Sequence, residues 1–410
     1  MNIPLTPPHY RKSFILITSL FLIVGISYGL MLVLNKQFQE VLNVSKFQSG
    51  LIQSAYFSAY FVIALPVGIF LNRYGYKAGV LVSLSIFAVG TLLFFPAAQM
   101  GTFTPFLLAL FVMALGLGGI ETASNAYSAS LGDKSRSETR LNLSQSFNGL
   151  GQFLGPIIGG ILFFGGNEGA QGEVAAGSNS GLDVLSYTYL GITVLVLLLI
   201  LLFTKAPLPD LRGIEEAEEA EGGKQSMWAH KEFIAGVATQ FFYVAAQVGV
   251  GAFFINLCVE TWPGCTSQQG SFLLSVAMFL LLTGRFLGTA IMTRVAPARL
   301  LSLFGMACVL LSLLAITGIP YVAVLGVIGI FFFISIMFPT IFAMGTKHLG
   351  TDKRLGSSCM IMAIAGGAII PYVMGGLADS YGTAASYALP MACFVIVTLY
   401  GLCYKRFGVK

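Results

Sequence analysis

The sequence predicts an all-α membrane protein of twelve transmembrane helices, arranged as two similar six-helix halves. Three observations lead there. Charged residues make up only 10% of the 410 residues and hydrophobic ones 56%, whereas a soluble domain carries roughly 25% charge. Long apolar stretches without a charge recur along the chain, and about 20 such residues cross the hydrocarbon core of a bilayer. A pattern in the first half also returns in the second. The lipid bilayer is therefore this chain's solvent, and the net charge of +5 reads as membrane orientation, not as nucleic-acid binding.

In order, helices are expected near 13–34, 50–71, 78–98, 103–131, 140–166 and 184–205, then near 231–260, 269–293, 298–318, 320–349, 355–379 and 383–407. Residues 1–206 form an N-terminal bundle and 231–410 a C-terminal one. Between them, 207–230 is a cytoplasmic linker whose acidic run "EEAEEAE" reads as a solvated stretch. With both termini inside, only Lys36 and Lys46 of the 22 basic residues fall outside, and Arg285 lies within helix 8. This is the positive-inside bias. "MNIPLTPPHYRKSF" is too polar for a cleaved signal, so helix 1 is expected to be retained. The six cysteines show no metal spacing, and only Cys265 falls in a predicted outer loop.

"SLGDKSR" after helix 4 matches "HLGTDKR" after helix 10, with Gly132 and Gly350 218 residues apart. "LGPIIGG" in helix 5 likewise resembles "IIPYVMGG" in helix 11. Two halves of equal orientation, related by an axis along the membrane normal, describe the major facilitator fold. Such a fold binds its substrate near the midplane and rocks around it. In helix 5, Gly151, Gly155 and Gly159 stand at four-residue spacing beside Pro156, which allows close helix approach. It also suits a helix that bends or slides. The turn "RYGYKAG", with Arg73, Gly75 and Lys77, is read as a gating latch between helices 2 and 3.

Glu121 is the acid that needs explaining. A charge at mid-membrane costs about 2.5–3.5 kcal/mol on insertion scales and normally faces a cavity. Asn125 shares its helix face and Thr122 borders it. Asn142, Gln145 and Asn148 make a stripe on helix 5 with Ser144 alongside, and Gln240, Tyr243 and Gln247 make another on helix 7, continued by Asn256. Amides both donate and accept, so they pair with sugar hydroxyls without net charge, and Tyr243, Phe241 and Phe242 offer faces for a pyranose ring. The same stripes could instead hold helices together, at about 0.6 kcal/mol each.

"GLGGIETASNAYSASLG", "RLNLSQSFNGLG", "FQSGLIQSAYFSAYF", "QFFYVAAQVGVGAFF", "GRFLGTAIMTRVAP" and "PTIFAMGTKHLG" closely resemble the L-fucose–proton symporter family of bacterial sugar transporters. The resemblance covers nearly the whole chain. It implies a sugar:cation symporter of the bacterial inner membrane. Glu121 matches the family's helix 4 acid, Gln145 and Asn148 its sugar-contacting amides on helix 5, and Tyr243 and Gln247 its polar positions on helix 7.

One departure shapes the expectation. The family's helix 1 aspartate, part of its proton path, is implied by the resemblance to align with Leu32, and helix 1 contains no acid at all. The expected function is therefore import of a neutral hexose of the glucose, mannose or fucose type, coupled to Na⁺ held at Glu121 and Asn125. Thr122, Ser144 and Asn148 would complete the oxygen set, since a hard cation wants several oxygens. The alternatives are proton coupling through Glu121 alone and uncoupled facilitation. No filter sequence, charge ring or paired catalytic groups suggest a channel or an enzyme, and the amides disfavour a lipophilic exported drug. No cofactor besides Na⁺ is expected, and a monomer is the default.

Overall fold

A computed structural model of the chain describes residues 6–133, 137–165, 180–209, 227–292, 294–347, 349 and 353–407. Most of the predicted linker 207–230 and the repeat residue Gly350 lie outside them. Among the described residues there is no strand, and twelve segments are long and apolar enough to cross a membrane. They are helix 1 Pro8–Leu42, helix 2 Lys46–Leu71, helix 3 Arg73–Met100, helix 4 Phe103–Ser128, helix 5 Leu143–Phe164 and helix 6 Gly181–Lys205. Helix 7 is Lys231–Ala252, helix 8 Ser267–Met292, helix 9 Pro297–Ile316, helix 10 Val322–Thr346, helix 11 Cys359–Tyr381 and helix 12 Thr383–Cys403. The expected count and order are met. Helix 1 runs eight residues further than the apolar pattern alone suggests. Its last turns carry a Lys36–Glu40 pair at 3.4 Å, and the helix stops where Asn43 adopts φ 51°, a conformation asparagine tolerates.

The described chain divides into two compact units. One comprises Met1–Met31 and Ser58–Ala220, the other Leu32–Phe57 and Glu221–Lys410. In the first unit, glycines bring helices to backbone contact. A Cβ on Gly90 would lie 2.2 Å from Met113 N, and one on Gly116 2.3 Å from Phe87 N, so helices 3 and 4 touch along their backbones. The latch sequence forms the corner between helices 2 and 3. Gly75 has φ 84° and ψ 168°, which a residue with a Cβ rarely adopts. Lys77 then donates to the carbonyls of Thr204 and Ala206, both at 2.9 Å, offsetting the negative C-terminal end of helix 6. Arg73 is exposed and lies over the Tyr74 ring at 5.3 Å.

In the second unit, helices 7, 10 and 11 are interrupted. Helix 7 breaks at Phe253 and resumes as Phe254–Thr261. Helix 10 consists of Val322–Ile334 and Met337–Thr346, and helix 11 contains a tight turn at Ala363–Ala365. The C-terminal end of helix 1 and the start of helix 2, Leu32–Phe57, belong to this unit. Asp379 accepts from the backbone N–H groups of Lys46 and Phe47, at 3.0 and 2.8 Å, a carboxylate at a helix start. A Cβ on Gly375 would fall 2.4 Å from the Lys46 carbonyl oxygen, so helix 11 needs glycine there to meet helix 2. The outward faces of both units stay apolar, with Ile69 and Leu310 exposed, as lipid requires.

Candidate functional site

In the first unit the polar residues of helices 4 and 5 converge. Helix 5 comes close to helix 1 because both carry glycines at the crossing. A Cβ on Gly25 would sit 2.1 Å from the Asn148 carbonyl oxygen, and one on Gly155 2.6 Å from Gly29 Cα. Pro156 belongs to the same contact, its Cδ 2.9 Å from the Cβ position of Gly29. Gly159 ends the α-helical part, after which the backbone widens into a π-turn over Gly160–Phe164. That crossing fixes the height and rotation of the helix 5 stripe.

On this stripe Gln145 Nε2 donates to Asn125 Oδ1 on helix 4 at 3.0 Å. One turn on, Gln152 Nε2 donates to Asn148 Oδ1 at 2.6 Å. Gln152 Oε1 is buried with no partner among the described residues. Ser144 is fully buried, its hydroxyl 2.9 Å from that of Ser128 and 3.3 Å from that of Thr18 on helix 1. Thr122 donates to its own helix at the Gly118 carbonyl, 2.8 Å away. Glu121 is half-buried and hydrogen-bonded to Tyr60 on helix 2. A Cβ on Gly118 would lie 3.3 Å from the Tyr60 ring. The glycine one turn before Glu121 therefore gives Tyr60 the room to approach it.

Glu121, Asn125 and Gln145 are thus neighbours through helix 4 and one interhelical bond. Asn148 continues the surface with Gln152, and Ser144 turns instead into the helix 1–4–5 interface. The oxygens wanted for Na⁺ are largely engaged: Asn125 and Asn148 accept from glutamines and Ser144 is tied to two hydroxyls. Among the described residues no group of three or more His, Cys, Asp or Glu could hold a metal ion. The side chain of Asn142 lies outside the described residues. Tyr60, Thr18 and Gln152 escaped the sequence reading. Gln152 was findable, being four residues beyond Asn148 on the same face, whereas Tyr60 looks like any aromatic of an apolar helix.

In the second unit the helix 7 stripe is more divided. Gln240 is fully buried, and both its amide atoms lack a partner among the described residues. Leaving such groups dry costs about 1–3 kcal/mol, so Gln240 is an unfilled hydrogen-bonding position. Gln247 is half-buried. Tyr243 is only 1% exposed, and its hydroxyl donates to the Ile334 carbonyl at the break in helix 10, 3.0 Å away. Its ring is no open stacking face, while Phe241 and Phe242 are half-buried and edge-to-face at 5.4 Å. Asn256 is occupied by Gln39 of helix 1, donating to Oε1 at 2.5 Å and accepting from Nε2 at 3.4 Å. It seals a helix contact. Asn35 reinforces that contact by donating to the Ala252 carbonyl at 2.8 Å.

Comparison with known proteins agrees with this architecture. The profile of the Major Facilitator Superfamily matches residues 16–359. The L-fucose-proton symporter of Escherichia coli K12 is 33% identical over 405 residues, covering 95% of this chain and 92% of that protein. The glucose/galactose transporter of Brucella abortus (strain 9-941) is 32% identical, covering 94% and 92%. A crystal structure of the E. coli fucose:proton symporter superposes with a TM-score of 0.69 at 31% identity, covering 96% of this chain and 99% of that one. A D-xylose-proton symporter structure shares the fold at TM-score 0.72 and 13% identity. The molecule is a multi-pass membrane transporter, not an enzyme. This chain belongs to the major facilitator superfamily.

Proposed function

We propose that the chain is a proton-coupled symporter that imports a neutral hexose across the bacterial inner membrane, as a monomer with both termini cytoplasmic. The observation that carries this reading is the joining of Glu121 to Tyr60 on one side and, through its helix, to the Asn125–Gln145 amide pair on the other. A carboxyl group that gains and loses one proton needs no further ligands. The amides beside it recognise hydroxyls without charge, and within the second unit Gln240 is a separate, unfilled set of donors and acceptors. Relatives named as L-fucose-proton symporters and glucose/galactose transporters support both the cargo class and the coupling ion. The sodium expectation is withdrawn, because named relatives that state an ion state the proton and most of the required oxygens already have donors.

The test is uptake of labelled L-fucose, D-glucose and D-galactose into proteoliposomes, with pH and Na⁺ gradients imposed separately. Accumulation should follow the pH gradient and ignore Na⁺. Glu121→Gln keeps the shape and removes the titrating group, so it should abolish accumulation while sparing exchange of labelled for unlabelled sugar. Accumulation driven by Na⁺, or unaltered in the variant, would defeat the proposal.

A further inference from the structure

Cys258 and Cys265 stand apart from the other described cysteines. Cys258 lies on the short helix Phe254–Thr261 and is fully buried. That helix ends with the Trp262 N–H bonded to the Cys258 carbonyl at 2.9 Å. The Cys265 N–H then bonds to the Trp262 carbonyl at 3.0 Å, and Gly264 takes φ 75° between them. This reverse turn folds the chain back so that the Cys265 thiol, which donates to the Thr266 carbonyl at 3.5 Å, lies beside the Cys258 thiol. Gly270 completes the pocket, since a Cβ there would lie 3.4 Å from Cys258 Cβ. Cys265 is not the open aqueous thiol expected from its loop, for it is only 9% exposed. Its neighbours Gly264 and Thr266 are exposed, so a small reagent reaches it from the loop side.

A buried cysteine ordinarily packs as a small hydrophobe. Two thiols turned on each other at a solvent-flanked corner suggest more. We propose that Cys258 and Cys265 form a redox-active dithiol that closes to a disulfide by exchange with a disulfide oxidant. Closure brings the two sulfurs to about 2.05 Å. The Cys258 thiol beside it holds the Cys265 thiol below its usual pKa, which makes Cys265 the attacking group. Deprotonated Cys265 attacks R–S–S–R, forming a mixed disulfide and expelling RS⁻. Cys258 then attacks the Cys265 sulfur, its proton passing to the second departing RS⁻. Two protein thiols lose two electrons and one oxidant molecule becomes two thiols. In the proposed orientation this corner faces the outer compartment, where disulfides persist.

Closure would fix the segment that carries Glu260. Its carboxylate pairs with Lys46 Nζ at 2.5 Å and accepts from the Thr383 N–H and hydroxyl at 3.1 and 2.8 Å. The corner therefore holds the starts of helices 2 and 12. The dithiol is independent of which sugar or ion is carried.

The test uses the purified full chain, first reduced, then equilibrated with oxidised glutathione. It is then unfolded in SDS, alkylated with N-ethylmaleimide and mapped by mass spectrometry. Two of the six thiols should resist alkylation, both on the peptide between Lys231 and Arg285, which should be lighter by two hydrogens and free of glutathione. Cys258→Ser should instead leave glutathione on Cys265. The proposal fails if both thiols of the wild-type peptide alkylate fully, or if glutathione remains on Cys265 in wild type. Both of those outcomes are read on the wild-type chain, so neither depends on a variant folding.

Discussion

Replacing Gly25 with alanine puts a methyl carbon 2.1 Å from the carbonyl oxygen of Asn148, 2.9 Å from its carbonyl carbon and 3.0 Å from Gln152 N. All three are backbone atoms, so no rotamer change relieves the clash. Restoring a normal contact of roughly 3.5 Å requires helix 5 to retreat from helix 1 by about 1.4 Å. The crossing resists, because a Cβ on Gly151 would lie 2.3 Å from the Leu22 carbonyl oxygen and one on Gly155 2.6 Å from Gly29 Cα, a contact built with no slack. Overpacking of this kind costs about 1–3 kcal/mol. The retreat also carries Gln145 away from Asn125 and moves Asn148. Each neutral hydrogen bond lost to the sugar is worth about 0.5–1.5 kcal/mol, or roughly a 2- to 12-fold weaker affinity. The assay is thermal melting in detergent together with sugar titration by calorimetry. Gly68→Ala is the control, since a Cβ there meets nothing within 4 Å, and it should be neutral or slightly stabilising. If Gly25→Ala and Gly68→Ala prove indistinguishable in melting temperature and affinity, the glycine crossing does not set the position of the helix 5 stripe.

Two further outcomes are expected. Gln145→Ala should weaken sugar binding by about 2- to 12-fold with little change in melting temperature, because Gln145 is only part-buried; unchanged affinity by calorimetry would take it out of the site. Arg140→Met should lower the melting temperature markedly. Its buried guanidinium donates to the carbonyls of Ser128, Gly132 and Asp133 at 3.1, 3.2 and 2.9 Å, and each carbonyl left dry costs about 1–3 kcal/mol. An unchanged melting curve would show that water takes over those carbonyls.

The spans and their order were legible because a bilayer imposes a length and a composition on each helix, and nothing across the helix alters that demand. The site was legible only in part. Helical spacing put Asn125, Gln145 and Asn148 on usable faces, but it could not say that Gln145 would bond to Asn125 or that Gln152 would bond to Asn148. Spacing also grouped Tyr243 and Asn256 with Gln240 and Gln247, although Tyr243 is spent on the broken backbone of helix 10 and Asn256 on Gln39. An amide's partner lies on another helix, and periodicity within one helix is silent about it. Cys265 failed for a similar reason: its loop is short and polar, but a glycine turn folds it back over Cys258.

Leu32 is where the sequence expectation of Na⁺ and the proposed proton coupling part. The resemblance implies that it stands where the family carries its helix 1 acid, and in the bare sequence that loss reads as room for a different cation. Leu32 is 1% exposed, and a Cβ on Gly251 would meet its Cδ1 at 3.2 Å. The leucine is a packing residue, filling the C-terminal part of helix 1 against helix 7, and it groups with the second unit, whereas Glu121 belongs to the first. Replacing an acid there with leucine exchanges a polar contact for an apolar one. It adds no oxygen beside Glu121, where a hard cation would need several. A proton asks for less, since one carboxyl suffices to bind it. What the exchange at Leu32 removes is a second relay group, so in the proposed mechanism coupling rests on Glu121 and its Tyr60 contact alone. That is why a single conservative substitution at Glu121 should separate sugar exchange from accumulation.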